Sequence, residues 1–252
     1  HFTQCLMDNP HRPQYYAARG RAYAGLRQFD RAIEDANRAA ALNNDDPWIL
    51  EMRAEIRLLS GQGDPFADLD RAIKLDAKRP SLWRLRSQAW LRRGDETSLE
   101  RALQDADKAC ELDATGASRL HRGQVRLEIA QLETARGKDS TGSMLKALDD
   151  FTAALKQNPS DMDAWLARAE AWIQIGRAQT ANGRDAKDSF RSAIEDADQA
   201  LRMNPKLVRA YLARARAYRA LLRPSEALAD CDRAIALLPS SGMAFRERGL
   251  CR

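Results

Sequence analysis

An arginine followed by a small residue recurs at Arg19-Gly20, Arg53-Ala54, Arg86-Ser87, Arg122-Gly123, Arg168-Ala169, Arg214-Ala215 and Arg248-Gly249, at intervals of 34, 33, 36, 46, 46 and 34 residues. Between successive arginines stands a second signature: Ala or Pro, an apolar residue, any residue, then Asp. It ends at Asp35, Asp68, Asp105, Asp150, Asp196 and Asp230, so Arg and Asp alternate without a miss. A length of 252 residues admits one large domain or two ordinary ones, but self-similarity at a fixed period outranks length as evidence. It means one short module, repeated.

Each module reads as two helices. Tyr16, Trp83, Trp165, Tyr211 and Phe245 stand three before their arginine, and Tyr23, Trp90, Trp172 and Tyr218 four after it. A spacing of seven keeps both on one helical face. The second helix carries Ala39, Ala72, Ala109, Ala154, Ala200 and Ala234 four after each Asp, where a neighbouring backbone can approach closely. Prolines agree with this division: Pro13, Pro47 and Pro80 at first-helix starts, Pro65 and Pro224 near second-helix starts, Pro159, Pro205 and Pro239 after second helices.

A pair of short amphipathic helices of about 34 residues with this order of aromatic, small and proline positions resembles the tetratricopeptide repeat family. The resemblance covers nearly the whole chain. It implies an all-α fold, a right-handed α-α superhelix or solenoid of stacked antiparallel helix pairs, with first helices on the concave surface and second helices on the convex one. One pair cannot cover its own apolar face, so neighbours must bury it. The expected division is a single array: residues 1–12 the tail of a preceding repeat, then repeats at 13–46, 47–79, 80–115, 116–161, 162–207 and 208–241, and 242–252 the first helix of an incomplete seventh. On this reading the chain is a fragment of a longer protein.

Two departures from the family pattern stand out. An arginine occupies a column that is usually apolar, and Arg57, Arg119 and Arg126 fill aromatic columns of the second and fourth repeats. Their stems are expected to lie over apolar neighbours with the heads reaching water. A charge that recurs in every repeat beside the packing columns is best explained by a contact made in every repeat, so each column Arg is expected to pair with an Asp of a second helix.

The fourth and fifth repeats are longer by 12 residues, and Thr134-Ala135-Arg136-Gly137-Lys138-Asp139 aligns with Thr180-Ala181-Asn182-Gly183-Arg184-Asp185 at a distance of 46. This implies duplication of a 46-residue repeat. Apart from Gly176, no helix breaker falls in 129–135 or 175–181, so the first helices are expected to run past the usual turn, with Gly137 and Gly183 as stops and Asp139, Ser140 or Asp185 as new starts.

Net charge is +5, and the 34 bases and 30 acids outside the two columns leave +4. The distribution is uneven: from Leu201 to Pro224 there are seven bases, including Arg202, Arg209, Arg216, Arg219 and Arg223, and no acid.

In the tetratricopeptide family, peptides commonly lie in the concave groove. Carried over by spacing from each column Arg, the groove positions are Arg21, Glu51, Glu55, Arg84 and Gln88, then Leu120, Gln124, Leu166 and Glu170, then Leu212, Arg216 and Arg219, with Arg209 from the basic stretch. Leu120, Leu166 and Leu212 form an apolar line that Leu91, Leu127 and Ile173 prolong. Flanked by charge, it suits a partner helix or extended segment; the other reading is that these residues are buried inside the superhelix. The Lys and Asn set of carboxylate-gripping cochaperones and the Asn ladder of sugar-transferase superhelices are both absent.

His1, His11 and His121 are far apart, as are Cys5, Cys110, Cys231 and Cys251, and no phosphate-binding glycine loop or nucleophile elbow occurs. Adjacent carboxylates such as Asp149 and Asp150 diverge on a helix. No catalytic, cofactor or metal site is expected. With 44% hydrophobic residues the chain is globular rather than disordered, and no stretch approaches the roughly 20 apolar residues of a membrane span. The expected function is a non-enzymatic, cytoplasmic protein-protein interaction scaffold without cofactors. Binding of an anionic polymer such as RNA through the basic sixth repeat is the second reading, and a spacer or homo-oligomer contact the third.

Overall fold

The computed structural model describes residues 9–251; the expected tail of a preceding repeat lies largely outside them. Thirteen α-helices and no strand occur among the described residues. They fall into two compact units, His1–Ala114 and Thr115–Arg252. The first contains α1 (Pro13–Gly25), α2 (Phe29–Leu42), α3 (Pro47–Ser60), α4 (Phe66–Leu75), α5 (Pro80–Arg93) and α6 (Glu96–Leu112). The second contains α7 (Gly116–Ala135), α8 (Thr141–Gln157), α9 (Met162–Ala181), α10 (Lys187–Met203), α11 (Val208–Ala220), α12 (Pro224–Leu237) and α13 (Gly242–Leu250).

Within each unit every helix packs on the one that follows. First helices of successive pairs also touch, α1 on α3 on α5, and α7 on α9 on α11 on α13. The helices start where sequence chemistry says they should. Proline occupies the first turn of α1, α3, α5 and α12, where its missing N–H costs nothing. Asp46, Asp95 and Asp161 accept the N–H of Trp48, Ser98 and Ala164 at 2.9, 3.0 and 3.1 Å, capping α3, α6 and α9.

The core is built largely of alanine. Ala39, Ala72, Ala109, Ala154, Ala200 and Ala234 are all buried, and larger side chains fill the space between them. Ile49, Met52 and Ile56 do so beside Ala36 and Ala39, and Phe151, Met144 and Leu148 beside Ala171. The leading aromatic column also ties down the turn before its helix. Trp83 Nε1, Trp165 Nε1 and Tyr211 Oη donate to the carbonyls of Ala77, Pro159 and Pro205, at 2.9, 2.8 and 3.1 Å. Phe245, which has no such donor, is half exposed.

The first helices of the two longer modules are extended: α7 and α9 have 20 residues, against 13 in α1 and α11. Gly137 and Gly183, both at φ +68°, end them, with Lys138 N–H returning to the Glu133 carbonyl and Arg184 N–H to that of Gln179. Asp139 and Asp185 then accept the N–H of Thr141 and Lys187, each at 3.0 Å, where α8 and α10 begin. Gly176 breaks nothing. It is buried inside α9 because the Phe190 ring occupies the space a side chain would need: a Cβ there would lie 2.7 Å from ring carbons. Gly123 makes the same allowance for Phe151.

Candidate functional site

The six column pairs are two-pronged ion pairs. Arg19 binds Asp35 through Nε and Nη2, both at 2.7 Å, and Arg86–Asp105, Arg168–Asp196 and Arg214–Asp230 repeat the arrangement. Arg53–Asp68 and Arg122–Asp150 complete the set. The carboxylates are buried and the guanidiniums about four-fifths so: Asp196 keeps 5% of its side-chain exposure and Arg168 19%. Burial pushes the Asp196 carboxyl up against the pull of Arg168, whereas the hydrogen bonds that Arg214 donates to Asp230 hold its guanidinium above the ordinary range.

A third nitrogen crosses to the preceding helix pair. Arg86 Nη1 donates to Asp70 at 2.8 Å, Arg168 Nη1 to Thr152 at 3.3 Å and Arg214 Nη1 to Asp198 at 2.5 Å; Arg248 lies 3.2 Å from Asp232. Each acceptor stands two residues after a column Asp and 16 before its Arg. This spacing is visible in the sequence but was missed by a reading confined to the columns.

Rings or second cations complete the column sites. Arg19 lies over Tyr16 and Tyr23, and Arg214 over Tyr211 and Tyr218, at 5.6 to 5.9 Å. Where the ring is replaced, the expectation that the arginine head reaches water fails. Arg57 Nη1 binds Asp68 at 2.8 Å and Arg126 Nη1 binds Asp150 at 2.6 Å, because the carboxylate already facing the column offers a partner closer than bulk water.

The first-helix positions carried over as a groove separate into two kinds. The polar ones form ion pairs between neighbouring helices: Arg21 with Glu55 at 3.5 Å, Glu51 with Arg79 at 3.0 Å, Glu170 with Arg216 at 2.9 Å, and Arg219 with Glu247 at 3.0 Å. Arg209 approaches Asp163 at 3.8 Å with both side chains exposed; Gln88 and Gln124 are exposed and Arg84 half-buried. The apolar ones do not make a surface line. Leu166, Leu212, Leu127 and Ile173 are buried at 5, 5, 7 and 0% exposure, and only Leu120 and Leu91 remain half-buried. Ala200 and Ala234, small because a helix must pass there, leave room that Leu166 and Leu212 fill.

The basic stretch changes character in the same way. Arg209, Arg214, Arg216, Arg219 and Arg223 all face acids, the first four supplied by other helices. A count along one helix missed them because the partners lie 16 to 46 residues away.

Two cavities of the second unit are walled by first helices. One, of about 260 Å³, is lined by Arg177 of α9, Leu212, Arg216 and Arg219 of α11, and Met243, Arg246, Glu247 and Leu250 of α13. The other, of about 550 Å³, lies between α7 and α9 with Met144 of α8. Among the described residues no group of His, Cys, Asp or Glu is arranged to hold a metal ion. Cys110, Cys231 and Cys251 are buried and form no disulfide, and burial pushes the Cys231 thiol up to about 12, which keeps it protonated in the core. No helix among the described residues is long and apolar enough to cross a membrane.

Tetratricopeptide repeat profiles match residues 13–46, 132–182 and 180–242. The chain belongs to the tetratricopeptide repeat family. Its fold is the all-α repeat superhelix of that family, which serves as a protein-interaction scaffold. The chain is similar to one in the APC/C hetero-tetramer Cut9-Hcn1, at 14% identity and TM-score 0.78 over 99% of its own length. It spans 45% of the length of that chain. The C-terminal part of a repeat-containing protein from Cytophaga hutchinsonii is similar at 19% identity and TM-score 0.56, covering 98% of this chain and 91% of that one. The human IFIT1 dimer with PPP-AAAA is similar at 17% identity and TM-score 0.53, covering 95% and 67%. At these identities the likeness is one of fold. Comparison with curated protein sequences gives no significant match.

Proposed function

We propose that this tetratricopeptide array binds a segment of a partner protein on its first-helix face, without catalysis of its own. The repeat division at 13–46, 47–79, 80–115, 116–161, 162–207 and 208–241, with a further first helix from 242, belongs to the same proposal. One observation carries it: two cavities of the second unit that share Arg177 are lined by first-helix residues, with Met144 the one exception. The second helices carry the packing alanines and the buried column aspartates; residues of α2 also line most of a cavity in the first unit, and Lys187 and Phe190 of α10 part of a third one in the second. Of the groove positions, Glu170, Leu212, Arg216 and Arg219 line the two cavities that share Arg177. Arg21, Glu51, Glu55, Arg84, Gln88, Leu120, Gln124 and Arg209 are assigned by spacing to the first-helix face of their own unit, whereas Leu166 is buried beneath it. Ion pairs between adjacent first helices hold its charged side chains in place before a partner arrives, which lowers the ordering cost of binding.

The test is capture from nuclease-treated lysate followed by hydrogen exchange on the complex. Protection of amides in α9, α11 and α13 is expected; protection confined to α10 and α12 would overturn the assignment of the face. The anionic-polymer reading is the weaker one, since Arg209, Arg216, Arg219 and Arg223 each already face an acid, although Arg202 does not among the described residues. Capture that nuclease abolishes and salt weakens steeply would restore it.

A further inference from the structure

The two cavities walled by first helices have one side chain in common, Arg177 of α9. It stands nine residues after its column arginine, Arg168. The 13-residue α11 ends six after its own, so a position nine on exists only because α7 and α9 are extended. The same holds for Gln131, Ala135, Ala178 and Ala181, which wall the larger cavity. The 12 inserted residues thus do more than space the repeats: they build one cavity and contribute a cation to the other.

The two cavities differ in chemistry. The larger, about 550 Å³, lies within the range of about 300 to 1,000 Å³ usual for ligand pockets. Met144, Ala135, Ala178 and Ala181 give it an apolar floor, rimmed by Gln131, Thr134, Gln174 and the opposed charges of Glu170 and Arg177. The smaller holds four guanidiniums, Arg177, Arg216, Arg219 and Arg246, against one carboxylate, Glu247. Arg216 is oriented by Glu170 and the Leu212 carbonyl, and Arg219 by Glu247. Each has further N–H groups to offer, since a guanidinium carries five. Arg177 and Arg246 are exposed and have neither a hydrogen bond nor an ion pair among the described residues. Met243 and Leu250 line the same cavity while 69 and 54% exposed.

We propose that these two cavities together receive one extended partner segment, placing an acidic side chain among the four arginines and an apolar side chain between the extended helices. The inference rests on the reading that the first-helix face binds protein, and adds the chemistry of what it binds. Charge complementarity commits the smaller cavity to a carboxylate, which arginine meets with two parallel hydrogen bonds. No aromatic ring lines either cavity, so a single-stranded nucleic acid would find no stacking platform there.

The probes are three fluorescein-labelled dodecapeptide pools with randomised flanks. One fixes a Glu and a Leu separated by one to four positions, one replaces the Glu by Gln, and one replaces the Leu by Ser. Fluorescence anisotropy is read for the wild type, for Arg177→Glu with Arg246→Glu, and for Ala181→Trp, which fills the larger cavity. All three altered residues are exposed, so thermal melting should match the wild type. The Glu/Leu pool is expected to bind at least tenfold tighter than either other pool. The double charge reversal should remove the advantage over the Gln pool, and Ala181→Trp, which leaves the four arginines in place, the advantage over the Ser pool. Equal affinity for the Glu and Gln pools, unchanged by charge reversal, would overturn the inference and leave the groove reading standing. No binding by any pool would overturn both.

Discussion

Arg57 Nη1 lies 2.8 Å from Asp68 Oδ2, at the position where α1, α5, α9 and α11 carry an aromatic ring. Arg126 holds the same relation to Asp150. The array therefore has two ways of enclosing a buried column carboxylate. In one, rings cover the guanidinium faces while their edges bond the Asp; in the other, a second guanidinium joins the first on the same Asp. Asp68 and Asp150 each face two cations, Arg53 with Arg57 and Arg122 with Arg126.

Removing the carboxylate should strand whatever it pairs. Asp196→Ala is expected to lose about 3 kcal/mol, the low end for a broken buried pair because Arg168 keeps 19% exposure. Asp150→Ala leaves two guanidiniums and should lose more, with Arg126→Tyr on that background recovering part of the difference. Urea unfolding midpoints measure all three. An unchanged midpoint for Asp196→Ala would end the view that the column pairs hold the array together.

Two helical glycines make room for a ring from the second helix, and the space is too small for a methyl group. A Cβ at position 123 would sit 2.5 Å from Phe151, and one at position 176 would sit 2.7 Å from Phe190. Gly123→Ala and Gly176→Ala should each lose about 1 to 3 kcal/mol by overpacking, although alanine is the better helix former. Gly142→Ala, with nothing within 4 Å, should gain about 0.5 to 1 kcal/mol. Thermal melting of the three variants separates the two effects, and Phe190→Leu should relieve Gly176→Ala.

The turn after α11 puts Leu222 at φ +58°, with its side chain 88% exposed. The turn after α9 has Gly183 at φ +68° instead, and both return an N–H to a carbonyl five residues back. A residue with a Cβ pays about 1 to 2 kcal/mol for that conformation. Leu222→Gly is accordingly expected to raise stability by about 1 kcal/mol, and Gly183→Ala to lower it by a similar amount. A calorimetric melt of each variant tests the pair.

Much of this was legible in the sequence because it repeats. The column arginines, the small alanines, the prolines and the extended α7 and α9 follow from position and helical period, and the structure has them as read. What escaped was everything set by a neighbour. Leu166 and Leu212 look like a groove line on one helix, yet the next helices bury them. Arg57 and Arg126 look like solvent-seeking substitutions until the carboxylate beside them is in view. In the acid-free stretch around α11, Arg209, Arg216 and Arg219 face Asp163, Glu170 and Glu247 from the helices on either side. One-dimensional charge counts fail where first helices from different repeats lie side by side.

Asp95 gives the array a pH dependence whose sign can be worked out. It caps α6, accepting the N–H of Ser98 at 3.0 Å and its hydroxyl at 2.5 Å. These bonds, with the side-chain one the larger, lower its pKa below the ordinary 3.8. Because the folded chain binds this proton less readily than the unfolded one, the charged cap contributes stability above about pH 4 and loses it as pH falls through the folded value. Asp95→Asn keeps a side-chain acceptor at the cap but carries no charge. The difference in unfolding free energy between wild type and Asp95→Asn should therefore be flat near neutrality and shrink below about pH 4. Asp196, whose pKa burial raises, supplies the opposite sign: its proton-linked contribution is present below the unfolded value and declines as pH rises through the folded one. Urea titrations of the wild type, Asp95→Asn and Asp196→Asn between pH 2.5 and 7, values chosen to bracket about 3.8, should give difference curves sloping in opposite directions. Parallel curves would mean that neither the cap nor the burial of Asp196 is linked to folding in the manner the geometry requires.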